Sequence, residues 1–150
     1  MTRPIVLHHT PGCGTAAEAD AAVRALAGAM DALGIDAAAE VALVLTDDAE
    51  LRRLNLAFRG LDKPTDVLSF PSDPDDLPPG EPPYLGDIVI SVAYAAAGAA
   101  QAGHPLAREL CLLAVHGLLH LVGHEDASEA GAEAMRRLEV ELGVRAAEDG

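Results

Sequence analysis

Apolar positions along this chain fall into short unbroken runs and longer periodic stretches, and the two kinds alternate. Ile5-Val6-Leu7 is a short β-like run. Residues 15–33 are Ala-rich, with Val23, Leu26, Met30 and Leu33 at helical spacing and Gly34 as a stop. Val41-Ala42-Leu43-Val44-Leu45 reads as a buried strand. Thr46 or Asp47 then caps a helix over about 48–58, with Leu51, Leu54 and Phe58 on one face. After a loop from Gly60 to Pro64, Val67-Leu68-Ser69-Phe70 is a strand ended by Pro71. Leu85–Ser91, around Ile88-Val89-Ile90, is a further strand, followed by a helix over about 92–102. His104-Pro105 starts another helix that runs to about Val122, where Gly123 offers the stop, and a last helix spans about 127–142. No internal repeat is visible. The pattern predicts an α+β domain with one small mixed sheet of about four strands and about five helices. Strand order does not follow from it.

Length and composition add bounds. One hundred and fifty residues, half of them apolar, is the size of one domain, taken here as 1–150. With two Phe, two Tyr and no Trp, the core must be aliphatic. Cys13 and Cys111 lie far apart and form no CxxC pattern, which argues against a disulfide scaffold or a cysteine zinc site. No segment reads as a signal peptide or a membrane span, so the expected location is the cytoplasm. Residues 72–83 hold five of the ten prolines and four acids, and are expected to form an exposed loop.

The formal charge of −14 argues against a general nucleic-acid binder, but its distribution is uneven. Four of the ten basic residues, Arg52, Arg53, Arg59 and Lys63, fall in one twelve-residue window. An acidic body with such a patch can hold a polyanion locally. On charge alone, a solvated helix face is the simpler account.

The chemistry concentrates in residues 106–122, apolar on nearly every face and therefore a buried helix. His116 and His120 stand four residues apart in it, stacked on one face and roughly 6 Å apart along the axis. Buried imidazoles need partners for their ring nitrogens, and carbonyls would serve for a lone histidine. A pair at this spacing, followed by Gly123, His124, Glu125 and Asp126, points to a divalent metal, zinc for preference. On a continued helix His124 would stand about 12 Å from His116 along the axis, too far to share an ion. Gly123 lets the chain turn back, and Asp126 is favoured over His124 as third ligand. Gly117 stands where a zinc peptidase helix carries the glutamate of H-E-x-x-H, which counts against proteolysis.

Three ordered stretches carry a resemblance. His116-Gly-Leu-Leu-His120-Leu-Val-Gly123 resembles the signature of the YbeY family of bacterial endoribonucleases and rRNA maturation factors. Asn55 to Pro71, including Arg59, Lys63, Thr65, Asp66 and Ser69, is similar to the family's other hallmark, and Leu85–Ser91 to its next strand. One position departs: the family's usual third ligand is a histidine six residues after the second, and here that residue is Asp126, preceded by His124-Glu125 instead of Tyr-Asp.

The resemblance implies a single-strand-specific, zinc-dependent endoribonuclease acting in maturation of the 3′ end of small-subunit rRNA and in ribosome quality control. The metal would lie at the bottom of a cleft, one Zn²⁺ per chain. His116, His120 and Asp126 are then the metal ligands, and Arg59 and His116 the catalytic residues, with Arg59 meeting the RNA backbone. The implied partners are single-stranded or ribosomal RNA and small-subunit components, with neither membrane nor DNA expected. The general base is open among Glu125, His124 and a water on the metal. Asp87 and Thr65 are read as structural. Two other classes stay in view: a non-catalytic ribosome assembly factor with a structural zinc, and another metal-dependent hydrolase.

Overall fold

A computed structural model describes residues 3–145, except 74 and 76. Its order is β1 (Ile5–His9), α1 (Ala16–Ala32), β2 (Glu40–Thr46), α2 (Asp48–Arg59), β3 (Val67–Pro71), β4 (Tyr84–Ser91), α3 (Val92–Ala102), α4 (Leu106–Leu121) and α5 (Glu129–Glu141). This is the α+β fold expected, with four strands and five helices among the described residues.

Helix starts follow side-chain caps. Thr15 accepts from the Glu18 N–H, and the Glu18 carboxylate reaches back to the Thr15 N–H, closing a capping box. Asp47, of the two candidates for α2, accepts from Glu50 N–H; Ser128 caps α5 by accepting from Gly131 N–H.

The sheet order is β1-β2-β4-β3. β1, β2 and β4 run parallel, and β3 is antiparallel on the edge against β4. The period-two alternation of strands then sorts side chains by face. Val41, Leu43, Leu45, Ile88 and Ile90 point into the main core with Leu26, Met30, Leu110 and Leu118, beneath α1 and α4. Leu68 and Val89 point to the opposite face, where Leu51 of α2 covers them. Leu51, Leu54 and Phe58 share one face of α2, toward Val89 and Phe70. Leu51 is buried, but Phe58 is 67 % exposed, and the buried polar partner on that helix is Asn55. The last turn of α2 reaches the sheet at its edge strand, where Phe58 and Phe70 pack edge to face with ring centroids 5.0 Å apart.

α4 lies against both α1 and the β3–β4 half of the sheet. Its closest approach to the sheet is at Gly117. A Cβ there would stand 2.6 Å from Ile88 Cγ2 and 3.0 Å from Ser69 Oγ. The Ser69 hydroxyl donates to the Gly117 carbonyl at 2.9 Å, so strand and helix are pinned at the bare α carbon. This bears directly on what lines the cleft between them.

Candidate metal centre

α4 ends in a Schellman turn. The Gly123 N–H donates to the His120 carbonyl at 3.1 Å and the His124 N–H to the Leu119 carbonyl at 2.9 Å, with Gly123 at φ 103°. The chain thereby folds back, and Asp126 returns to the face that carries His116 and His120. Asp126 Oδ2 lies 3.4 Å from His116 Nε2 and 3.6 Å from His120 Nε2, and the two Nε2 atoms are 3.2 Å apart. A tetrahedral ion with N and O ligands at about 2.0–2.2 Å would hold such atoms about 3.3–3.6 Å apart. The three donors match that triangle, and their types suit zinc or a similar borderline cation. The group has three members among the described residues, so the ligand set is not closed.

The other ring nitrogens are taken. His120 Nδ1–H donates to the His124 carbonyl at 3.1 Å, and His116 Nδ1–H to Glu139 Oε1 at 2.9 Å. Burial works against a charge on His116. The hydrogen bond and charge of Glu139, with Asp126 and Asp66 behind it, outweigh burial and raise its pKa above the ordinary imidazole value.

The three donors sit in an open cleft of about 450 Å³ whose other walls include Arg59, Thr65, Asp66, Val67 and Ser69. Arg59 enters from the last turn of α2, where a cation also suits the helix dipole. The rest of the basic window divides. Arg52 is paired with Asp62 at 2.7 Å and Arg53 with Glu50, whereas Arg59 has no ion-pair partner among the described residues. Lys63 lies outside the cleft lining, and its carbonyl accepts from Asn55 Nδ2 at 2.9 Å. Asn55 thus ties the 60–66 loop to α2, beside the Thr65 and Asp66 that line the cleft.

Neither Glu125 nor His124 is among the residues lining the cleft. Glu125 accepts the Ser128 hydroxyl at 2.7 Å and the Ser128 N–H at 3.0 Å, so it serves the start of α5, and those bonds hold its carboxyl below the usual range. The His124 side chain is not in the metal-binding group; its backbone carbonyl is what orients His120. Asp87 accepts from the Tyr84 hydroxyl within β4 and does not line the cleft. Glu139 was invisible to motif reading. Its one sequence signal is an acid four residues after Met135, on the buried face of α5.

Comparison with known proteins gives the family. The profile described as Endoribonuclease YbeY matches residues 13–146. The chain belongs to the YbeY family. An endoribonuclease YbeY from Moorella thermoacetica is 49 % identical over 118 residues, covering 75 % of this chain and 76 % of that protein. One from Chloroflexus aurantiacus is 45 % identical over 134 residues, covering 86 % and 87 %. The solution structure of TM1509 from Thermotoga maritima superposes with a TM-score of 0.59 at 26 % identity, covering 93 % of this chain and 87 % of that one. Among the described residues, no helix is long and apolar enough to cross a membrane.

Proposed function

We propose that this YbeY chain is a metal-dependent endoribonuclease, with one zinc ion held by His116, His120 and Asp126, and that 1–150 form one such domain. The observation that carries the reading is the triangle of His116, His120 and Asp126 in a cleft whose unpaired cation is Arg59. The substrate is single-stranded RNA, and within the family reading the work is maturation of the 3′ end of small-subunit rRNA and ribosome quality control, in the cytoplasm and alongside small-subunit components.

When bound, the metal supplies Lewis-acid stabilisation of charge on a phosphoryl oxygen or a water. The chain's own part is positioning. Arg59 presents a planar, permanently charged fork that pairs with phosphate oxygens and stays charged throughout the reaction. Thr65 and Ser69 line the same cleft. Asp66 is held by the Val67 N–H at 2.7 Å, so its carboxylate is fixed as a wall and not free to swing.

Two alternatives fit less well. A structural zinc calls for a closed four-ligand site, and here there are three ligand residues facing an open cleft. A peptidase of the H-E-x-x-H type carries its glutamate after the first histidine, and at position 117 even a Cβ would stand 2.6 Å from Ile88 Cγ2.

The test uses untagged protein and a His120→Ala variant, with metal content measured by elemental mass spectrometry and cleavage measured on a labelled single-stranded RNA. About one zinc per chain together with cleavage, both lost in the variant, supports the proposal. Native protein that takes up no zinc when supplied with it refutes the metal reading, and zinc without cleavage favours the assembly factor.

A further inference from the structure

α5 carries a carboxylate that the proposed reaction does not use. Glu139 is 0 % exposed, in a helix whose other buried residue is Met135. A buried carboxylate is costly unless it is paired and hydrogen-bonded, and leucine would fill such a site without that cost. Glu139 has two partners, one per oxygen. Oε1 accepts from His116 Nδ1 at 2.9 Å, and Oε2 from Arg145 Nε at 2.9 Å. Burial disfavours its charge, yet the bonds from His116 and Arg145 hold its pKa below the ordinary range.

Arg145 arrives by a second Schellman turn. The Gly143 N–H donates to the Val140 carbonyl at 3.0 Å and the Val144 N–H to the Glu139 carbonyl at 3.0 Å, with Gly143 at φ 80°. The turn that closes α5 on the Glu139 carbonyl therefore also brings an arginine to the Glu139 carboxylate. The two turns act on one ring from opposite sides: that after α4 delivers Asp126 to Nε2 of His116, and that after α5 secures the acceptor at its Nδ1.

We infer that Glu139, clamped by Arg145, is a positioning residue that keeps the proton of His116 on Nδ1 and the ring in the plane where Nε2 faces His120 and Asp126. The inference rests on the metal reading above for its purpose. Its chemistry is separable, because the tautomer of His116 can be observed with no metal present. Removing such an outer partner lowers metal affinity about 10–100-fold.

The experiment compares the full chain with Glu139→Leu, Glu139→Gln and Arg145→Met. Zinc affinity is read by competition with a chromophoric chelator. Imidazole ¹⁵N NMR of the metal-free proteins, at alkaline pH where the ring is neutral, reads the tautomer. Glu139→Leu should leave His116 as a mixture of tautomers and weaken zinc binding about 10–100-fold. Glu139→Gln, which keeps an acceptor, should fall between it and the parent. A wild-type zinc affinity and an unchanged tautomer in Glu139→Leu would overturn the inference. Should that variant fail to fold, Glu139→Gln and Arg145→Met decide: zinc affinity unchanged in both overturns it equally. A parent protein that binds no zinc refutes the metal reading instead, and the tautomer comparison still decides the role of Glu139.

Discussion

Placing a methyl group at Gly117 tests whether the contact between α4 and the sheet leaves space for any side chain at the position after the first histidine. The added carbon would lie 2.6 Å from Ile88 Cγ2 and 3.3 Å from Ile88 Cγ1. Ile88 is fully buried in a central strand and β-branched, so it has little freedom to yield. Overpacking of this kind costs about 1–3 kcal/mol, and a stiff neighbour places this case at roughly 2–3. Alanine in place of glycine within a helix returns about 1 kcal/mol. The net expectation for Gly117→Ala is a loss of about 1–2 kcal/mol, or roughly 2–8 °C in Tm for a domain of this size. Gly28, in α1, is the control: a Cβ there meets nothing within 4 Å. Gly28→Ala should therefore gain up to about 1 kcal/mol. Urea unfolding of the metal-free proteins gives both numbers on one scale. A Gly117→Ala protein as stable as Gly28→Ala would refute the steric account, and with it the argument that packing excludes a glutamate there.

Other outcomes follow from the site. Arg59→Ala should keep full zinc occupancy and lose about 10²–10³ in cleavage rate, the usual scale for one charged group at a developing charge; loss of the metal instead would place Arg59 in the metal site. Asp126→Ala should weaken zinc binding by about tenfold or more, while His124→Ala, which keeps the backbone carbonyl that holds His120, should change it little in the same chelator competition. The raised pKa of His116 sets the direction of the pH dependence: protons compete for Nε2, so zinc affinity should start to fall at a pH above the ordinary imidazole value of about 6.5 and keep falling through it. An affinity constant down to that pH would contradict the shift. In the metal-free chain the same raised pKa contributes stability that is present at low pH and lost as pH rises through the folded-state value.

What the sequence disclosed was local. The cap of α2 at Thr46 or Asp47, and glycine at 123, set helix ends through contacts within a few residues, and the histidine spacing on α4 is helix geometry alone. Asp126 needed one turn more, and Gly123 is enough to indicate it. The exposure of Phe58 was not legible, because periodicity shows which face of α2 is apolar, but not where the sheet beneath the helix ends. Glu139 lies 23 residues from His116, on another helix, and no spacing rule links them. The basic window stayed open for the same reason: sequence shows that Arg52 and Arg53 are charged, and only the fold shows Asp62 and Glu50 beside them.

That pairing has a kinetic consequence. With Arg52 and Arg53 already matched, the cleft offers RNA one unpaired arginine within a chain of formal charge −14. A polyanion approaching from solution meets repulsion first and attraction only at close range, where Arg59 and the proposed metal ion lie within the screening length of about 8 Å at physiological ionic strength. Association should therefore quicken as salt is raised from very low values, opposite to the steep decline of proteins that neutralise many phosphates. Such a nuclease should capture free RNA slowly and cut fastest where another contact already holds a strand at the mouth of its cleft.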